Sequence, residues 1–142
     1  MNVIFDPILG RLRISVGEWM LTGTPIKTVP VVAGTGGGND TATVKWENGG
    51  IYEVTVQPAS TIDVVFEKPA GVVGTSFFYL YIIQDGGNFR LFETVRWYDV
   101  DTGFTDPNTE PPNLTTEGIT YMLAVMYNAK KDRYHVNLAT RE

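Results

Sequence analysis

The sequence predicts an all-β protein: an antiparallel β-sandwich, jelly-roll-like, of seven or eight strands, preceded by an extended N-terminal arm. Three observations carry this expectation. Fifteen Gly and eight Pro in 142 residues cut the chain into short pieces. The pieces are rich in Val, Ile, Thr, Tyr, Phe and Trp, residue types that suit a pleated, half-buried surface. No helical pattern of useful length competes with them: the best candidate, residues 8–14, carries Gly10 in its middle and is too short to stand alone.

Taken in order, residues 1–28 read as an arm. They hold Ile4, Phe5, Ile8, Leu9, Leu12, Ile14, Trp19, Met20 and Leu21 without the clean alternation of a strand. Residues 29–40 read as a Gly-rich linker with an edge strand near 28–33, where Pro30 removes a ladder donor. Within it, residues 34–40 (Gly-Thr-Gly-Gly-Gly-Asn-Asp) have the composition of a flexible tether. The sandwich proper is expected over 41–142, with strands near 42–47, 51–57, 61–67, 76–84, 88–97, 119–127 and 133–138. Asn48-Gly49 suits a type I′ hairpin, whose two central residues take positive φ, and Gly86-Gly87 suits another. Residues 129–132 offer a looser hairpin between the last two strands.

A Gly86-Gly87 hairpin would sort its residues into two faces. Phe78, Leu80 and Ile82 fall with Leu91, Glu93 and Val95 on a mostly aliphatic face, the natural core side. Phe77, Tyr79, Tyr81 and Ile83 fall with Arg90, Phe92, Thr94 and Arg96 on the other. Aromatic residues and arginine are enriched at the centres of protein–protein interfaces. Phe77, Tyr79, Tyr81, Arg90, Phe92 and Arg96 are therefore the candidate subunit interface. The competing reading is that residues 28–33 or the arm cover this face within one chain.

Composition narrows the function classes. Eleven Lys+Arg against 16 Asp+Glu give a net charge of −5, which argues against nucleic acid as partner because phosphate binding wants clustered cations. With no cysteine there is no disulfide framework, thiol nucleophile or thiolate metal site. The longest apolar run, residues 77–83, is far too short for a bilayer helix, so no membrane is expected as partner. The first 28 residues lack the basic start and small-residue cleavage site of a secretory signal.

Few constellations suggest chemistry. Residues 34–40 lack the Lys-Ser/Thr ending of a phosphate loop. Asp99, Asp101, Asp106 and Glu110 place carboxylates at calcium-loop spacing, but Gly103 and Phe104 stand where a ligand and the turn glycine belong. A solvated acidic loop is the better account, and no metal or cofactor is expected. His135 is the only histidine and cannot build a zinc site or a triad unaided. The acidic residues lie mostly at turns and strand ends, which reads as a non-enzyme. Trp46, Trp97 and Tyr98 are candidate glycan contacts, since aromatic faces stack on sugar rings; core packing explains them equally well.

Two stretches carry a resemblance. The opening Phe5-Asp6-Pro7-Ile8-Leu9-Gly10-Arg11-Leu12-Arg13 is similar to the short N-terminal segment of many tailed-bacteriophage fibre and virion-decoration proteins. The closing pattern resembles the terminal domains of such fibres: Val95-Arg96-Trp97, then Pro112-Asn113-Leu114-Thr115-Thr116-Glu117-Gly118, Met122-Leu123 and Tyr134-His135-Val136. The resemblance implies a structural role without enzymatic activity, in a virion assembled in the host cytoplasm. Phe5, Asp6, Pro7, Ile8, Leu9, Arg11, Leu12 and Arg13 would anchor the chain to capsid or tail components. The β-domain would project as a homotrimer, in contact with a host-surface glycan. Without a fibrous shaft, the length fits a head fibre, a decoration protein or a small tail-fibre component. A carbohydrate-binding β-sandwich module is the alternative.

Overall fold

The computed structural model describes residues 23–91, 95 and 114–142 in full. Of the rest it describes only the backbone of short strands at 5–6, 11–12, 96–99 and 103–104. In chain order the strands are β1 (Phe5–Asp6), β2 (Arg11–Leu12), β3 (Ile26–Thr28), β4 (Val31–Val32), β5 (Asp40–Lys45), β6 (Ile51–Val56) and β7 (Thr61–Glu67). They continue with β8 (Thr75–Gln84), β9 (Asn88–Leu91), β10 (Val95–Asp99), β11 (Gly103–Phe104), β12 (Thr120–Asn128) and β13 (Arg133–Arg141). Among the described residues there is no helix.

Two mixed sheets form the body. The larger runs β11-β10-β13-β12-β8-β6-β3 and the smaller β4-β5-β7-β9, while β1 and β2 pair only with each other. The all-β expectation holds, but antiparallel order does not. Five pairs are parallel: β3 with β6, β6 with β8, β5 with β7, β7 with β9, and β10 with β13. Nothing in this order supports a jelly-roll-like arrangement. From β5 to β9 each successive strand crosses to the opposite sheet, so a strand lies beside the one two places earlier, in parallel.

That winding corrects the two expected glycine hairpins. Gly49 (φ 80°) and Gly86 (φ 106°) take the left-handed conformation, but Asn48 and Gly87 do not, so neither dipeptide forms a type I′ turn. Asn48 instead turns its side chain onto β8, accepting the Phe77 N–H at 3.0 Å, and Gly49 N–H donates to the Phe77 carbonyl at 2.6 Å. Both turns carry the chain from one sheet to the other. The expected strand 88–97 divides likewise into β9 of the smaller sheet and β10 of the larger. The hairpin expected at 129–132 is present, pairing Asn128 with Arg133.

The Gly-rich stretch expected as a linker closes a hairpin between β4 and β5, with Val32 opposite Thr41. Gly34 N–H donates to Asp40 Oδ1 at 3.0 Å, and a methyl group on Gly34 would lie 2.2 Å from the Gly38 carbonyl oxygen. Residues 26–32 already belong to the two sheets, so the body begins well before residue 41.

Inward residues alternate strictly, as in Tyr52, Val54 and Val56 of β6 or Tyr121, Leu123, Val125 and Tyr127 of β12. At one end the core is aromatic. Trp46 stacks on Phe78 at 5.1 Å and meets Tyr134 edge-on at 6.0 Å, while Phe66 and Tyr127 flank Tyr134 at 4.9 and 4.8 Å. Trp46 Nε1 donates to the Tyr134 hydroxyl at 3.0 Å. Burial pushes the Tyr134 phenol from its ordinary 10 up to about 12, and burial raises Tyr127 too. A raised acid leaves its stabilising contribution intact below the unfolded value and removes it as pH climbs through the folded one. The thermal midpoint should therefore fall between about pH 10 and about pH 12, and the Tyr134→Phe variant should fall less across that window.

Candidate functional site: the outer face of the larger sheet

The two outer faces of the sandwich differ in kind. On the smaller sheet the outward positions are mostly polar and charge-matched, with Val65 of β7 among them and Val32 of the edge strand β4 66% exposed. Asp63 of β7 lies opposite Arg90 of β9, whose Nε donates to it at 2.5 Å, and Asn39 Nδ2 donates to the same carboxylate at 3.2 Å. Lys45 of β5 lies opposite Glu67 of β7. A ladder of threonines and opposite charges is what a water-facing sheet surface requires.

The larger sheet presents the reverse. Its register sets Ile26, Ile51, Tyr79 and Ala124 in one row across β3, β6, β8 and β12. Thr28, Glu53, Tyr81 and Met122 form the next, and Phe77 stands beside Met126. Phe77 is 55% exposed, Ile26 51% and Tyr79 42%. Full burial of such a side chain contributes ~1.5–3 kcal/mol, so each residue left half in water forgoes about 1 kcal/mol. Among the described residues of these rows Glu53 is the one carboxylate, and its Oε1 accepts the Thr28 hydroxyl at 2.8 Å.

Phe77, Tyr79 and Tyr81 thus share an outward face, as the alternation in the sequence indicates. Arg90 does not belong with them: it lies on the smaller sheet, paired with Asp63, because β9 is not the hairpin partner of β8. Phe92 and the side chain of Arg96 lie outside the described residues. Residues 28–33 do not cover the face, since β3 joins the edge of the larger sheet and β4 the smaller one. Sequence reasoning missed Ile26, Ile51, Met122 and Met126. The alternation of Met122, Ala124 and Met126 against Leu123 and Val125 was legible; what was hidden was that β12, rather than β9, lies beside β8.

The other expected sites fare differently. Trp46 is 1% exposed and hydrogen-bonded inside the core, so it is not a glycan contact. The side chains of Trp97, Tyr98 and Asp99, and Asp101, Asp106 and Glu110 entirely, lie outside the described residues. So do the side chains of the anchoring set Phe5, Asp6, Pro7, Ile8, Leu9, Arg11, Leu12 and Arg13; of these, Phe5 and Asp6 pair in backbone register with Leu12 and Arg11. His135 sits half-buried on β13 beside Met126. Among the described residues no three His, Asp or Glu side chains are grouped to hold a metal.

A second polar feature marks the end of the sandwich where β12 turns into β13. Tyr127 OH donates to Asp132 Oδ1 at 2.5 Å and Lys68 Nζ reaches the same oxygen at 3.0 Å. The Tyr127 hydroxyl and the Lys68 ammonium hold the Asp132 carboxyl below its ordinary range. Ala129 N–H donates to the Gly74 carbonyl at 2.9 Å, so the 68–74 and 129–132 loops are tied together. Comparison with protein-family models, with curated proteins and with solved structures found no match to this chain.

Proposed function

We propose that this chain is a non-enzymatic structural protein of a bacteriophage virion: a head fibre, a decoration protein or a small tail-fibre component. Its N-terminal arm attaches it to capsid or tail protein, and its β-domain associates with further copies of itself, as a homotrimer that serves attachment to the host surface. The observation that supports the reading is the contrast between the two outer faces. One is a mostly charge-paired ladder whose exposed apolar residue, Val32, lies at the β4 edge; the other groups exposed Phe77, Tyr79 and Ile26 around a nearly uncharged centre. Such composition marks the core of a subunit contact, which is depleted in charge and enriched in aromatics and Met.

The face also suits a second copy of itself. Ala124 sits between Met122 and Met126 and next to Tyr79, so a small side chain is ringed by large ones. A ring from a facing copy fits such a dent, in the way inner faces of sandwich sheets interdigitate. The carbohydrate-binding alternative loses Trp46 and has no described aromatic platform at its proposed position.

Sedimentation of the full chain at micromolar concentration tests the proposal, with a mass above one copy expected. Tyr79→Arg places an unpaired charge in the desolvated contact and should weaken association by ~2 kcal/mol or more, about 30-fold. Retention of the native fold in that variant is expected, because position 79 faces outward. A wild-type chain that remains a strict monomer would defeat the self-association reading.

A further inference from the structure

The described charges are distributed along the strand axis in a way that the outer-face contact does not use. Where β12 turns into β13, the tied loops and their flanks carry Lys68, Lys130, Lys131 and Arg133 against Asp132, while Glu67, beside Lys68, is matched by Lys45 across the register. At the other end lie Asp40, Asp85, Glu117 and Glu142 against the single base Arg141. Gly118 N–H bonds the Gln84 carbonyl, placing Glu117 beside Asp85, and Thr120 and Glu142 exchange backbone hydrogen bonds. Asp40 is held there by the Ser60 hydroxyl at 2.8 Å. Between the ends, Lys27 pairs with Glu47 at 3.8 Å, Arg90 with Asp63, and Lys45 faces Glu67; Glu53 alone has no opposite charge assigned. The described body therefore carries a single net negative charge, Glu53, around its waist, with three net positive charges at one end and three net negative at the other. Nine residues of β12 separate the ends by ~30 Å. That exceeds the ~10 Å Debye length at 0.1 M salt, so the two ends act as separate charges.

We infer that the basic Lys130/Lys131 end of one copy docks on the acidic Asp85/Glu117 end of the next, head to tail. This contact rests on the reading of the chain as an assembly protein and is distinct from the outer-face contact. The occupant is a second copy because the molecule itself supplies the complementary surface. The basic end is also held in shape for docking: the Lys68–Asp132 pair and the Ala129–Gly74 hydrogen bond fix both loops before any partner arrives, which reduces the ordering cost of association. A head-to-tail contact joins different surfaces and so propagates into a ring or an open filament. Val73, 82% exposed in the 68–74 loop, supplies an apolar contact beside the cations.

The experiment is a charge swap on the full chain carrying Tyr79→Arg, so that the outer face is disabled and end-on association is read alone. Light scattering is recorded at ~0.01 M and at ~1 M salt, where the Debye length falls from about 30 to about 3 Å. Association is expected at low salt and should be lost at high salt. Lys130→Glu with Lys131→Glu should weaken it about tenfold or more, and so should Asp85→Lys with Glu117→Lys, since each makes the two ends alike in sign. An equimolar mixture of the two reversed variants should associate again, because each then offers the end that the other lacks. No low-salt association, or association indifferent to salt and to both reversals, overturns the head-to-tail contact. Either result leaves the outer-face reading to stand or fall on the mass of the chain without Tyr79→Arg.

Discussion

Trp46→Ala is expected to bring this domain to the edge of unfolding. The indole follows β5 of the smaller sheet directly, yet its neighbours Phe78, Tyr127 and Tyr134 all belong to the larger one. With Phe66 of β7, which packs on Phe78 and Tyr134, it joins this end of the two sheets. Removing a buried Trp costs ~3–5 kcal/mol, because the rings around it cannot collapse into the space. The lost Nε1–Tyr134 hydrogen bond adds ~1 kcal/mol and leaves a buried hydroxyl short of a partner. Against a total stability of about 5–15 kcal/mol, that is most of the margin. Urea titration should show the midpoint falling sharply, while Trp46→Phe, which keeps one ring and loses the N–H with the rest of the indole, falls by less than the alanine variant. A loss under about 1.5 kcal/mol in the alanine variant would mean that Trp46 is not at the centre of the core, and would reopen its reading as a surface contact.

Trp46 also shows how far the fold was legible in the sequence. Strand positions were readable because each strand pairs a buried face with an exposed one, and that contrast repeats every second residue. Phe78, Leu80 and Ile82 could therefore be separated from Phe77, Tyr79 and Tyr81 before any partner strand was known. Pairing was not readable, because alternation says which way a side chain points and nothing about which strand lies alongside. Asn48-Gly49 and Gly86-Gly87 carry the same turn chemistry whether the chain doubles back within a sheet or crosses to the opposite one. A local signal could not distinguish the two, and the hairpin reading put Arg90 on the wrong face. One clue was present. Glu93 fell on the core side of the supposed 88–97 strand, where a carboxylate is out of place, and in sequence it lies between β9 of the smaller sheet and β10 of the larger. The outer face was legible in its β8 row alone; the methionines and isoleucines beside it belong to strands brought in by the crossovers.

Gly87→Ala should be strongly destabilising, and it distinguishes a crossover from a hairpin. In a type I′ hairpin both glycines would take positive φ with no backbone against their Cβ positions, so alanine at either would carry about the same left-handed penalty. In the crossover the 85–87 turn is nested against the 57–60 turn of the β6–β7 crossing. Asp85 N–H donates to the Val56 carbonyl at 3.0 Å and Asn88 N–H to the Ser60 carbonyl at 2.9 Å. A Cβ on Gly87 would stand 2.1 Å from the Gln57 carbonyl oxygen and 2.7 Å from that of Ser60. Both obstacles are backbone, so no side-chain rotation relieves them, and the two turns must separate. That forfeits the hydrogen bonds joining them and costs about 3 kcal/mol or more. At Gly86 the nearest atoms to an added Cβ are 3.7 Å away, so Gly86→Ala carries only the left-handed backbone penalty, ~1–2 kcal/mol. Thermal unfolding of the two variants side by side reads the order directly. The nested-turn topology requires Gly87→Ala to be clearly the weaker protein, and comparable losses in the two variants would return the chain to the hairpin that its sequence suggests.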